Sequence, residues 1–188
     1  SGLKQNVAYT IKTKVTDKAG NVTESQTLSV TTGTIGAVGK ATASPTGWTN
    51  KDVTVTLPTL TGFTTKYTID GTAPSTSSAT YSSPFTVSTN CTVMYVYTDG
   101  TNINSAGTLT IDNIDKIAPT NTAPTATHTT NSITVTCKQA DNAGTNEKAS
   151  GIAKTEYSKD GGKTWQASNV FSGLKQNVAY TIKTKVTD

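Results

Sequence analysis

Apolar and polar side chains alternate along most of the chain, with a period of two residues. Over residues 52–57, 91–97 and 133–137 every second residue is apolar or aromatic. The same pattern occurs over residues 180–186, where a threonine takes one of the apolar positions. This alternation is typical of antiparallel strands that bury one face. Apolar residues do not recur at helical spacing over any longer stretch. The pattern therefore predicts an all-β protein.

Turn signals separate these stretches at short intervals. They include Thr46-Gly47, Asp70-Gly71, Asp99-Gly100 and Asp160-Gly161-Gly162, and such pairs mark tight turns. Threonine occurs 42 times, and its branched side chain suits strands. Many short strands joined by regular turns indicate antiparallel β-sandwiches.

The two ends of the sequence repeat each other. Residues 1–17 and 172–188 both read SGLKQNVAYTIKTKVTD, identical at all 17 positions and offset by 171 residues. We interpret the chain as one period of a tandem array plus a short overlap into the next period. The expected partners are neighbouring identical repeats, in tandem or head to tail.

The period itself divides into two parts. The similar strand ends at Asp17, Asp99 and Asp188 are 82 and 89 residues apart, and each part is long enough for a seven-stranded sandwich. We predict a hairpin of the last two strands of a preceding repeat over 1–31, a first sandwich over 32–114, and a second sandwich over 115–188. The second sandwich is expected to lack its last strand, whose equivalent occurs at 18–33.

The ends allow two interpretations. The sequence is a window from a continuous array, or it is the subunit of a self-assembling extracellular filament. In such a filament, subunits join head to tail by strand complementation, so that the hairpin of one copy completes the second sandwich of another. The overlap argues against the simplest form of the second scheme. The acceptor already has the strand at 172–188, so one duplicate must be displaced. The apolar hairpin residues, Tyr9, Ile11, Val15, Leu28 and Val30, require a cover in either case.

The run from Ser150 to Asp188 resembles a fibronectin type III or bacterial Ig-like domain. Leu174 and Tyr180 match the family's Leu followed six residues later by Tyr. The resemblance implies that the Tyr180 hydroxyl caps a nearby backbone group. Gln176 stands where the family often has Pro.

The run from Lys66 to Gly100 resembles the Ig-like domain at the C-terminus of chitobiases. The matching residues are Tyr67, Asp70, Gly71, Pro74, Tyr81 and Pro84. Together the two resemblances imply tandem Ig-like and fibronectin III-like sandwiches with a split domain at the chain ends. Such domains serve as stalks, spacers and adhesin repeats, which implies a structural repeat of a long bacterial protein that is secreted or at the cell surface.

Several functional classes are disfavoured. All 16 basic residues are lysines, whereas nucleic-acid binders rely on arginine for bidentate contacts. No stretch has the roughly 20 apolar residues of a membrane helix. The single histidine, His128, has no acidic partner nearby in sequence, and pairing with Cys137 across a hairpin would lack a third orienting group. We therefore expect no enzyme, no nucleic-acid partner and no membrane insertion.

Calcium is the one cofactor that the sequence suggests. Oxygen-bearing side chains gather near the junction and in one loop, and Ca²⁺ takes six to eight such ligands. The candidates are Asp112, Asn113, Asp115, Asp141 and Glu147, with Asp17, Asp99 and Asp188 in end loops. The alternative is that these residues bond their own turns.

Carbohydrate binding is the main alternative to a structural role. It requires exposed planar aromatic rings, and Trp48 and Trp165 are the candidate platforms. The family resemblance implies instead that both pack within the sandwiches. The partner in this alternative is a host or glycan receptor. The predicted core determinants are Leu174, Tyr180, Ile182 and Val186 in the second sandwich and Tyr67, Val93 and Tyr95 in the first.

Overall fold

A computed structural model describes residues 3, 7–145 and 147–188. Strands make up 41% of the chain, and the described residues contain no helix, and thus none that could cross a membrane. The predicted all-β class is confirmed, with antiparallel sheets as in an Ig-like sandwich. Parts of the predicted hairpin over 1–31, and of the first copy of the repeat, lie outside the described residues.

The described residues form short strands in the following order: β1 Ala8–Ile11, β2 Lys14–Thr16, β3 Val22–Glu24, β4 Leu28–Thr31, β5 Thr42–Ser44, β6 Val53–Thr56, β7 Thr64–Thr68, β8 Ala79–Thr80, β9 Phe85–Val87, β10 Cys91–Thr98, β11 Gly107–Ile111, β12 Thr120–Asn121, β13 Thr125–His128, β14 Ile133–Thr136, β15 Gln139–Ala140, β16 Lys154–Ser158, β17 Val170–Phe171 and β18 Lys183–Thr187.

The chain forms two compact units. The first comprises Ser1–Ala43, Thr54–Phe85 and Cys91–Thr110, and the second comprises Ser44–Val53, Thr86–Asn90 and Ile111–Asp188. The predicted domain boundaries, after residues 31 and 114, stay a prediction.

Strand β10 is the centre of the first unit. It lies in a four-stranded sheet with the order β11-β10-β7-β8. Val93 and Tyr95 are buried as predicted. Val96 is buried as well, so this strand buries both faces and departs from simple alternation. Tyr67, on β7, is half-buried and stacks on Phe85 with ring centroids 4.6 Å apart.

The hydroxyl of Tyr95 is part of this core. It donates to the carbonyl of Gly39 at 3.0 Å and accepts the N–H of Ala41 at 3.1 Å. These two bonds satisfy a buried polar group and hold the segment before β5 against β10.

Two small antiparallel ladders form the N-terminal part of the first unit. Strand β1 pairs with β4, and β2 pairs with β3. Their apolar side chains are largely uncovered: Leu28 is 58% exposed and Val30 is 44% exposed. The residues predicted to need a cover therefore keep much of their apolar surface exposed.

The second unit has its own apolar core. Val135, Phe171 and Leu174 are buried, and Ile133, Tyr157, Tyr180 and Ile182 pack against them. The Tyr180 hydroxyl accepts the N–H of Lys175 at 3.1 Å, which agrees with the backbone cap implied by the resemblance. Val186 is half-buried and is not one of the residues packed against this cluster.

Candidate metal centre

Three carboxylates of the second unit converge. Asp115, Asp141 and Asp188 each present an oxygen atom, and these three atoms lie within 4.8 Å of one another. Two unit charges about 5 Å apart repel by about 3 kcal/mol at an effective dielectric constant of about 20. Such a group is stabilised by protons or by a cation.

Asp115 is fixed by backbone hydrogen bonds. Its Oδ1 accepts the N–H of Ile117 at 3.1 Å and its Oδ2 accepts the N–H of Ser150 at 2.7 Å. Burial raises the pKa of Asp115, but the bonds from Ser150 and Ile117 outweigh it and hold the pKa below its ordinary value. The carboxylate is therefore ionised at neutral pH although it is buried.

The strand pairing of β16 and β18 brings Asp188 to this place. Lys154 lies opposite Thr187 in the ladder, and the N–H of Ala153 donates to the carbonyl of Thr187 at 2.8 Å. The residue after Thr187 is thus held beside the loop that contains Ser150. In the same loop, the N–H of Ser150 donates to Oδ2 of Asp115.

One carboxylate oxygen of Asp141 has no hydrogen-bond partner. Its Oδ2 accepts the N–H of Gly151 at 2.6 Å, whereas its Oδ1 is buried and unpartnered. A buried unpaired acceptor costs about 1–3 kcal/mol, and more when it is charged. A cation bound among the three carboxylates would supply that partner.

Asp112 and Glu147, two of the five predicted calcium ligands, are not among the convergent carboxylates. Asp112 pairs with Lys148 Nζ at 2.7 Å. Asn113 donates to the carbonyls of Pro45 and Gly47. Glu147 has a buried Oε2 without a partner but is not among the three convergent groups. The structure brings together Asp115 and Asp141, and adds Asp188 from the end-loop candidates.

The other end-loop candidates are used by their own turns. Asp17 Oδ1 accepts the N–H groups of Ala19 and Asn21. Asp99 Oδ1 accepts the N–H of Asn102 at 2.7 Å. Side-chain and backbone hydrogen bonds from Asn102 lower the pKa of Asp99. These carboxylates match the turn chemistry that was the alternative to calcium binding.

A cavity of about 310 Å³ adjoins the cluster. Its walls contain Asp115 and Asp188 together with Trp48, Thr49, Asn50 and Ser150. Trp48 is 50% exposed, so the implied packing of this ring within the sandwich is wrong. The turn before β6 leaves it at the surface, where an aromatic ring stands beside hydroxyl, amide and carboxylate groups.

Trp165 has a different environment. It is half-buried, and Lys185 Nζ lies 4.7 Å from its ring centroid. A cation in this position is attracted to the ring face and covers it. Trp165 therefore does not offer the open platform that Trp48 offers.

His128 and Cys137 lie toward opposite ends of a ladder. His128 pairs with Ile133, and Thr125 pairs with Thr136, so Cys137 follows the far end of β14. Four residues of strand separate the two positions, about 13 Å at the usual rise. The register thus rules out the proximity that sequence alone left open.

Comparison with known families bears on the middle of the chain. Residues 44–110 match the family model of the chitobiase/beta-hexosaminidase C-terminal domain. No curated protein matches the chain. This match confirms the resemblance to the Ig-like C-terminal domain of chitobiases that the sequence motifs indicated.

Proposed function

We propose that this chain is a non-catalytic structural repeat unit, a spacer, stalk or adhesin repeat, of a long extracellular bacterial surface protein. The observation that carries the proposal is the recurrence of residues 1–17 at 172–188 with a period of 171 residues. Repetition of sandwiches that each have a closed core makes length without new folds.

The two copies of the repeated segment support this proposal. Strand β2, Lys14–Thr16, lies within the first copy, and its equivalent residues 185–187 lie within β18. The family match at residues 44–110 fits a structural or carbohydrate-binding module. The location outside the cell follows from the same resemblance and is part of the proposal.

Calcium has a defined place in this proposal. Carboxylate oxygens are the ligands that Ca²⁺ prefers, and Asp115, Asp141 and Asp188 present three of them at one point. A bound ion would connect the start of the second sandwich, the loop after β15 and the end of β18. It would neutralise the mutual repulsion of the three carboxylates and stiffen the second unit.

The mass of the native protein under denaturing conditions tests the structural proposal. We expect a chain several times heavier than the 19.5 kDa of the 188 residues, detected with an antibody against this sequence. A single band near that mass would overturn the tandem array.

A second candidate function is carbohydrate binding, favoured by Trp48. Its ring is half exposed at a cavity rich in polar groups, and sugar recognition uses aromatic rings beside hydrogen-bonding side chains. The chitobiase match gives chitin oligosaccharides as the first ligands to examine.

Replacing Trp48 with alanine is the test of that candidate. On a glycan array that includes chitin oligosaccharides, Trp48→Ala is expected to weaken binding by about tenfold or more, the effect of removing a central aromatic anchor. Trp165→Ala is the matched control and should bind like the parent, because Lys185 already covers its ring. No glycan binding by the parent, or equal loss in both variants, would exclude the Trp48 site.

A further inference from the structure

Two short segments of the second unit are hydrogen-bonded to each other in parallel. Thr49 forms a parallel bridge with Ile114. The N–H of Thr49 donates to the carbonyl of Asn113 at 3.0 Å, and the N–H of Asp115 donates to the carbonyl of Thr49 at 2.9 Å. One residue that bonds to both neighbours of its bridge partner is the pattern of a parallel ladder.

The side chain of Asn113 extends this pairing. Its Nδ2 donates to the carbonyls of Pro45 and Gly47, at 3.1 and 2.6 Å. Both carbonyls precede the bridged residue along the chain, so one side chain adds two bonds to the parallel backbone pair. We call the two segments 45–49 and 113–115 together the clamp.

The second segment of the clamp is also held along its other edge. Asn90 Oδ1 accepts the N–H of Ile114 at 2.9 Å, and Asn90 Nδ2 donates to the carbonyl of Ile114 at 2.9 Å. Ile114 is fully buried, and Asp115 is 5% exposed. Water therefore has little access to this segment, and hydrogen bonds are stronger in such surroundings of low polarity.

The direction of the two segments determines how the clamp responds to tension. In a parallel pair, both segments start at one end of the pair and finish at the other. Tension along the chain pulls Pro45 toward the N-terminus and Asp115 toward the C-terminus, which lie at opposite ends of the pair. The segments are therefore sheared along their length, and the bonds between them are loaded together.

The β1–β4 ladder has the other geometry. Its strands are antiparallel, with Ala8 opposite Thr31 and Ile11 opposite Leu28. Tension enters this ladder at Ala8 and leaves it at Thr31, and both residues lie at the same end. The pairs are consequently loaded and opened one after another, so we expect this ladder to open at a lower force than the clamp.

We propose that the clamp is the mechanical lock of this repeat, which bears tension along the chain and shields residues 50–112 from it. While the clamp holds, tension passes from one of its segments directly to the other and does not reach the chain between them. The inference rests on the proposed function, because a spacer or stalk at a cell surface carries tension along its length. It adds which contacts set the force at which the spacer lengthens.

The released length identifies the opening of the clamp. An extended chain spans about 3.3–3.6 Å per residue, so residues 50–112 add about 20 nm or more when the clamp opens. Residues 8–31 of the β1–β4 ladder add only about 8 nm. The two events therefore differ in length as well as in force.

Single-molecule force spectroscopy on the full 188-residue chain tests the proposal. One handle is attached at the N-terminus and the other at a cysteine introduced by Ala118→Cys, in a chain with Cys91→Ser and Cys137→Ser. Residues 119–188 are then present but carry no load. Under a slowly rising force we expect a short step from the ladder first and the long step of the clamp at higher force. A long step at a force equal to or below that of the short step would overturn the proposal.

The lifetime of the clamp at constant force tests the bonds themselves, because forced unfolding depends on the unfolding rate. Asn113→Ala removes the two side-chain bonds to Pro45 and Gly47 and should shorten this lifetime by about tenfold or more. Asn102→Ala is the matched control. Asn102 Nδ2 donates to Asp99 within a turn of the shielded segment, so this variant should keep the parent lifetime.

Equal lifetimes of the long step in these two variants would contradict the clamp. The order of the two steps in the parent chain does not depend on how either variant folds. If the lifetimes are equal and the native protein is many periods long, only the clamp proposal falls. If Asn113→Ala alone shortens the lifetime and the native protein has one period, only the tandem array falls.

Discussion

Replacing Gly107 with alanine is expected to destabilise the first unit by about 2–3 kcal/mol, as overpacking does in a filled core. A Cβ atom at Gly107 would lie 2.6 Å from Cε2 of Tyr95 and 2.7 Å from its hydroxyl oxygen. Tyr95 is buried, and its hydroxyl is bonded to Gly39 and Ala41. The ring therefore has no free direction in which to move. Urea unfolding of the parent and the variant measures the loss.

Gly36→Ala is the matched control for this substitution. Gly36 belongs to the same unit, and an added Cβ would meet nothing within 4 Å. A surface substitution of this kind changes stability by about 0.5 kcal/mol or less. Equal unfolding midpoints for the two variants would show that the ring of Tyr95 does not pack on Gly107.

Calcium is expected to raise the melting temperature of the second unit. A ligand that binds only the folded state stabilises that state by RT ln(1 + [L]/Kd), which is about 2.7 kcal/mol when the free ligand concentration is 100 times Kd. Calorimetry in millimolar Ca²⁺ and in excess chelator measures the shift. The physical reason is that the ion replaces the repulsion among Asp115, Asp141 and Asp188 with coordination.

Asp141→Asn should remove most of that calcium-dependent shift. It takes one charge from the cluster and exchanges a charged ligand for a neutral one. Asp112→Asn is the matched control. Asp112 is the exposed partner of Lys148 and lies outside the cluster, so its variant should keep the full shift. Identical melting with chelator and with Ca²⁺ would exclude the metal centre.

Much of the fold could be predicted because it depends on local pattern. Alternation over residues 52–57, 91–97 and 133–137 predicted strands where the structure has β6, β10 and β14. The backbone cap by Tyr180 followed from a short motif. The burial of both faces of β10 could not be predicted from the sequence. Val93 and Val96 lie on opposite faces of this strand and are both apolar, and the sequence does not show which faces other elements cover.

The candidate metal centre was only partly predictable, because it depends on long-range register. Asp115, Asp141 and, as an end-loop residue, Asp188 were all candidates, but only the pairing of Lys154 with Thr187 brings Asp188 to the other two. Asp112 forms an ion pair with Lys148, which is 36 residues away in sequence, and is not part of the cluster. The composition near the junction identifies residues that could supply oxygen ligands. The tertiary structure determines which of these carboxylates converge and which form an ion pair with a lysine.

If this unit is repeated in a longer structural protein, the spacing of that protein's proteolytic fragments shows the repetition most directly. Brief trypsin treatment of the native protein cleaves after exposed lysines, such as Lys18 in the turn between β2 and β3. Identical units present identical sites, so we predict a ladder of fragments whose lengths differ by one period of 171 residues. Fragments without a common spacing, or a native chain too short to contain a second period, would contradict the account.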